Sequence, residues 1–186
     1  MSALLFPDPP LADAVVALRP WRRSDVPQRF AGFCDPLCLR FSWPLVEPFA
    51  EKHVRRRFDE EEEARLCGEE LNLAVADAAD SGLILGGASI YDVDLGQARA
   101  AIGCWLAPHA RGRGVATRTL RLLARWAFGH IHLARLELTC APDNVASQRV
   151  AARCGFVREG VLRSHVRFKG GRRDSVMFSL LPGELQ

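Results

Sequence analysis

Two glycines and two arginines stand at a junction able to do chemistry: Arg111-Gly112-Arg113-Gly114-Val115-Ala116 follows a strand-like run that ends at Pro108 and opens an amphipathic helix. The chemistry this supports is anion binding. The first N–H groups of a helix have no intrahelical partner, and the helix dipole adds partial positive charge there. Gly112 and Gly114 let a diphosphate approach the backbone closely, while Arg111 and Arg113 contribute full charges. A Gly-x-Gly loop alone carries little weight, since many helices begin after glycines for conformational reasons. Two standard phosphate loops are excluded, because the chain has neither GxxxxGK[ST] nor GxGxxG with an acidic residue at the end of a second parallel strand.

Further along, Asn144 and Ser147 lie three apart at the head of a short helix and would share one of its faces. Six cysteines (Cys34, Cys38, Cys67, Cys104, Cys140, Cys154) are scattered among apolar neighbours with no CxxC or His-spaced cluster, which reads as free thiols and no metal site. Cys104 has no partner histidine in its motif, so a core thiol is expected there rather than an acyl-accepting nucleophile.

The elements that must position these groups are legible from patterning. Ala14 to Leu18 reads as a first strand, followed by a helix capped by Ser24 or Asp25 and running to Phe33. A second helix starts at Pro48 and reaches about Cys67; its Arg55-Arg56-Arg57 and Glu60 to Glu63 pair on a solvated face. Strands are expected over Leu71 to Ala76, Leu83 to Tyr91 and Ala100 to Leu106, joined by short turns as an antiparallel meander. From Gly112 to Phe128 an apolar face opposes Arg118, Arg121 and Arg125. Arg135 to Cys140 is a strand, Asn144 to Cys154 a helix, and Val157 to Phe168 with Asp174 to Leu180 a final strand pair. This order implies one α/β domain over 1–186, with a mixed, mostly antiparallel sheet of about six to seven strands flanked by about four helices. Residues 1–12 are expected to be loosely packed.

Composition sets the class. The net charge of +3 is small, and Lys52 and Lys169 are the only lysines, which suits a small anionic ligand better than a nucleic-acid track. No run approaches the ~18–20 apolar residues of a membrane span, and no basic-then-apolar leader is evident, so a cytoplasmic protein is expected, with no DNA or membrane partner. Arg163, Arg167, Lys169, Arg172 and Arg173 around the last hairpin suggest RNA contact only weakly, because Phe168 alone interleaves them.

The loop Arg111 to Ala116 resembles the [RQ]-x-x-G-x-[GA] coenzyme A motif of the GNAT acyltransferase superfamily. Ile102-Gly103-Cys104-Trp105-Leu106 is similar to that family's central strand, Asn144-Val145-Ala146-Ser147 to its N-x-x-S helix start, and Gly155-Phe156 with Glu159-Gly160 to its GF-x-x-EG signature. Leu18-Arg19-Pro20-Trp21, the Asp25 helix and Trp43-Pro44 resemble the branch of ribosomal-protein N-terminal acetyltransferases. The resemblance covers about Val15 to Leu181 and is loose between Phe30 and Gly68, where members build acceptor pockets.

The resemblance implies an acetyl-CoA-dependent N-acetyltransferase in which a neutral amine attacks the thioester directly within a ternary complex. It implies that Cys104, Trp105 and Leu106 pair with the pantetheine arm through backbone groups, that Arg111 to Ala116 hold the diphosphate, and that Asn144 and Ser147 face the arm and the sulfur. Ser147 is then the candidate proton donor to the departing thiolate. Many relatives place a Glu before the strand's Ile-Gly, where this chain has Ala100 and Ala101, and the Tyr often found near the last strand is Phe178. The general base is therefore unassigned, with Asp92, Asp94 and His165 as candidates. The alternative reading is a catalytically silent acyl-CoA-binding or sensor domain. The acceptor would be a protein N-terminus or a small-molecule amine, and an exposed edge strand or helix could pair two subunits into a homodimer.

Overall fold

The computed structural model describes residues 3–42 and 48–186. Trp43-Pro44 lies outside the described residues. Among the described residues, eight strands form one sheet: β1 (Leu11–Ala12), β2 (Val16–Pro20), β3 (Leu71–Asp77), β4 (Ile84–Asp94), β5 (Arg99–Leu106), β6 (Arg135–Cys140), β7 (Val157–Phe168) and β8 (Gly171–Leu180). Their order is β1-β2-β3-β4-β5-β6-β8-β7, antiparallel throughout except for the β5–β6 pair. The expected meander is present, and the last hairpin inserts β8 between β6 and β7.

Among the described residues, five α-helices flank the sheet: α1 (Val26–Phe33), α2 (Pro36–Phe41), α3 (Glu51–Leu66), α4 (Val115–Trp126) and α5 (Val145–Arg153). The strand and helix counts each exceed the expectation by one. The additions are short: β1 has two residues and α2 has six, too few for a periodic apolar pattern to register. Helices α4 and α5 cover one face of the sheet, while α1 packs against α3 and β4 on the other.

Why these elements form follows from their side chains. Helix α4 buries Val115, Leu120, Leu123 and Ala124 against the sheet, where they join Leu71, Leu73, Ile90, Ile102 and Leu136 in the main core. Its outward Arg118 reaches Asp13 at 2.8 Å, and Arg121 donates to the Arg153 carbonyl at 2.7 Å. On α3, Arg56–Glu60 and Arg57–Glu61 pair at i,i+4, as the charge pattern implied, while Arg55 turns back to Glu51 and Arg65 pairs with Glu62. Glu61 does more than that: it also binds buried Arg29 of α1, whose guanidinium lies 4.4 Å from the Trp21 ring centre.

Two expectations are corrected here. Asp25 occupies the cap position of α1, yet its carboxylate does not cap the helix. It forms a buried ion pair with Arg19 at 2.7 Å and accepts from the Arg22 N–H, because a desolvated guanidinium next to it demands a counter-charge. The N-terminal segment is anchored rather than loose over its described part. Leu4 is only 5% exposed in the core, its N–H and carbonyl both bond to Arg65, and Phe6 lies under the Arg65 guanidinium.

Candidate active site

The sheet parts where chemistry is expected. β5 and β6 pair in parallel at Arg99, Ala100 and Ala101 opposite Arg135, Leu136 and Glu137, and the pairing stops there. Beyond it, residues 102–106 stay paired with β4, while residues 138–140 stay paired with β8. The β6-facing edge of β5 is left as open backbone at the head of a cleft of about 510 Å³. Its walls are β5, the 111–117 loop and helix start, the end of β6, α5, and Leu37, Cys38 and Phe41 of α2.

The glycine loop fits an anionic group. Gly112 and Gly114 have φ of +73° and +76°, and a methyl group built on either would meet nothing within 4 Å. The backbone is thus held in a conformation that disfavours side chains, with open space in front of it. No side chain caps α4, so no side-chain acceptor occupies its first-turn N–H groups, which remain able to donate to a ligand. Gly112, Gly114, Val115 and Ala116 all line the cleft.

The two arginines of the motif divide. Arg113 is exposed and is not part of the cleft lining. Arg111 lines it, but its guanidinium is an ion pair with Asp35 and donates to the Leu106 carbonyl at 2.9 Å. That pairing holds the Asp35 carboxyl below its ordinary range. Asp35 also caps α2 by accepting from the Leu37 and Cys38 N–H groups, so Arg111 ties the loop to α2. Arg149 and Arg153, four apart on α5, line the cleft instead. Their i,i+4 spacing on one helical face is the signal that sequence reading passed over.

At the fork, neighbouring β5 residues face opposite sides, as the pleat requires. Cys104 turns into the α4–α5 side, where burial pushes its thiol up to about 12, the state of an inert core thiol. The Trp105 indole turns the other way. It lies parallel to Trp21 with centroids 6.3 Å apart and 4.9 Å from Phe33, in space kept free by Gly32 and Gly87. Trp105 can therefore offer the cleft only its backbone, as can Cys104 along the open edge.

Asn144 and Ser147 both line the cleft. The Asn144 Oδ1 accepts from the Ser147 N–H at 3.1 Å, which caps α5. The Ser147 side chain lies near the Cys140 thiol at the end of β6. Burial raises that thiol, and nearby Ser147 and the Arg173 charge oppose the rise.

A second cleft, of about 730 Å³, opens on the other face of the sheet between β3, β4 and β5, the α1 and α3 side chains, and the β7–β8 hairpin. It shares Gly103, Cys104, Trp105, Thr139 and Arg173 with the first, so the two meet at the fork. Asp92 lines this second cleft. Asp94 instead accepts from the Gln97 N–H in a hairpin turn, and His165 is exposed on β7; neither lines either cleft. Arg173, over the Phe168 ring at 4.0 Å and donating to the Phe41 carbonyl, is a lining residue that the sequence marked only as one of a basic group. Among the described residues no group of three or more His, Cys, Asp or Glu could hold a metal ion, and no helix is long and apolar enough to cross a membrane.

Comparison with known proteins agrees with this geometry. The family model described as an acetyltransferase (GNAT) domain matches residues 16–157. YjcK of Bacillus subtilis (strain 168), provisionally named an N-acetyltransferase, is 32% identical over 128 residues, covering 68% of this chain and 70% of YjcK. YdaF of the same organism, provisionally named a ribosomal N-acetyltransferase, is 33% identical over 115 residues, covering 62% and 63%. Among solved structures, Mycobacterium smegmatis RimJ in complex with CoA-disulfide superposes with a TM-score of 0.80 at 26% identity, covering 92% of this chain and 84% of that one. With most of its length matched, and with the forked sheet and glycine loop in place, the chain belongs to the GNAT acetyltransferase family, whose members take their acetyl group from acetyl-CoA.

Proposed function

We propose that this protein is an N-acetyltransferase that moves an acetyl group from acetyl-CoA to the α-amine of a protein N-terminus, both substrates being held at once. The observation that carries the reading is the meeting of two clefts, from opposite faces of the sheet, at the fork of β5 and β6. One cleft has the anion-binding loop and an open strand edge; the other has carboxylates, aromatic rings and room for a chain. The provisional name of YdaF supports a protein acceptor.

In this reading the first-turn N–H groups of α4, with Gly112 and Gly114, hold the diphosphate, and Arg149 and Arg153 add charge from α5. The open edge of β5 pairs with the amides of the pantetheine arm, and an N–H near residues 104–106 polarises the thioester carbonyl. Acetyl-CoA supplies the activated acyl group. Ser147, at the start of α5 and lining the cofactor cleft, donates a proton toward the departing sulfur. Holding both reactants in line does much of the remaining work.

Incubation with acetyl-CoA and decapeptides bearing N-terminal Ser or Ala, read by tandem mass spectrometry, tests this. One acetyl group on the peptide α-amine is expected. Acetyl-CoA binding with no transfer to any amine would favour the silent acyl-CoA-binding domain instead.

A further inference from the structure

An amine reaches an enzyme near neutral pH largely as ammonium, since its pKa is about 8 at a chain terminus. It must lose a proton before it can attack. The group that takes this proton has to stand where the acceptor cleft meets the cofactor cleft. Asp94 and His165 stand elsewhere, and the Cys104 thiol is inert, so the junction itself names the candidates.

Thr139 lines both clefts. Its hydroxyl lies near the phenol of Tyr91, which stands on β4 opposite the last β5 residue that still pairs with β6. The phenol rests over Gly103: a methyl group there would be 3.6 Å from the Tyr91 ring and 4.0 Å from its hydroxyl. Tyr91 pairs in register with Ala101, whose small side chain leaves this side of β5 uncovered. The two hydroxyls thus bridge the fork immediately beside Cys104.

The next residue along the chain is also placed unusually. In a regular strand Asp92 would point away from the face that Tyr91 occupies. Here the β4–β5 register breaks between Tyr91 and Asp94, and Asp92 adopts φ +50°, a conformation uncommon outside glycine. The break lets Tyr91 and Asp92 line the same cleft, together with Glu70 from the approach to β3.

We infer that the Thr139 and Tyr91 hydroxyls carry the proton off the acceptor ammonium and pass it to the carboxylates of Asp92 and Glu70. The inference rests on the acetyltransferase reading above. The ammonium N–H gives its proton to the Thr139 oxygen, the Thr139 proton moves to Tyr91, and the Tyr91 proton moves to a carboxylate and then to solvent. The neutral nitrogen forms the C–N bond to the acetyl carbon. As the C–S bond breaks, Ser147 delivers its proton to the sulfur to leave a thiol, and the nitrogen's second proton replaces it on the Ser147 oxygen. Burial and both carboxylate charges hold the Tyr91 phenol above its ordinary value, which keeps it protonated and suits a relay rather than a stored base.

The test uses the full chain, acetyl-CoA and an N-terminal alanyl decapeptide. Tyr91→Phe keeps the ring over Gly103, Thr139→Val keeps the side-chain shape, and Asp92→Asn tolerates the positive φ. With each single hydroxyl variant folded by circular dichroism, kcat is expected to fall about 100-fold while KM for acetyl-CoA stays within about twofold. The double hydroxyl variant loses no more than either single one, because both interrupt one path. Thr139→Ser, which restores the hydroxyl, keeps kcat within about fivefold of wild type, and Asp92→Asn lowers kcat in the same sense as Tyr91→Phe. Wild-type kcat in both Tyr91→Phe and Thr139→Val would overturn the relay and leave the acetyltransferase reading standing. A wild-type protein that does not acetylate the peptide would overturn that reading and the relay with it.

Discussion

At the residue scale, the pair Asn144 and Ser147 shows how one motif serves structure and chemistry together. The Asn144 carbonyl is used up in capping α5, and that cap fixes the Ser147 backbone, so the hydroxyl is aimed by a bond that the substrate never touches. Ser147→Ala is expected to lower kcat about 10- to 100-fold with little change in acetyl-CoA affinity. Stopped-flow or steady-state rates with the decapeptide, alongside calorimetric Kd values, check this split; an unchanged kcat would remove Ser147 from the chemistry. Glycines and the N-x-x-S spacing could be read at this scale because their meaning is local. Arg111 could not be: its partner Asp35 is 76 positions away, and nothing within a motif says that a cation is already neutralised. The same holds for Tyr91 and Thr139, which no spacing connects.

At the scale of elements, α2 shows what periodicity misses and what chemistry still signals. Six residues give no helical repeat, but Asp35 followed by Pro36 is a cap and first-turn pair that marks a helix start. Because Asp35 also holds Arg111, α2 and the glycine loop are fastened to each other on either side of the cleft. Asp35→Ala is expected to cost about 1–2 kcal/mol of stability through the lost cap alone. It should also weaken acetyl-CoA binding by loosening the wall formed by Leu37, Cys38 and Phe41. Urea unfolding and calorimetry on the same variant measure the two effects; full stability would show that α2 stands without its cap. The fork of β5 and β6 was legible only in part. The proline after Leu106 and the following helix locate the end of β5, whereas the divergence shows only in the pairing itself, where β6 keeps β8 as far as Cys140 but loses β5 after Glu137.

For the molecule as a whole, strand order through β5, the amphipathic α4 and the closing motifs were readable from alternation and turns, since each is encoded within about a dozen residues. The acceptor cleft was not. Its lining comes from widely separated stretches of chain between Trp21 and Arg173, and its aromatic end depends on Trp105 turning away from the cofactor side into space that Gly32 and Gly87 leave free. What unites the two clefts is the claim that the α4 loop holds the cofactor's diphosphate, and calorimetric titration of acetyl-CoA into wild type and Gly114→Glu tests it most directly. The substitution places a carboxylate in open space in front of the loop, where it meets no protein atom within 4 Å at its first carbon. Micromolar binding by the wild type, lost in a Gly114→Glu variant that retains its circular dichroism spectrum, is the predicted result; equal binding by both proteins, or none by the wild type, would contradict it.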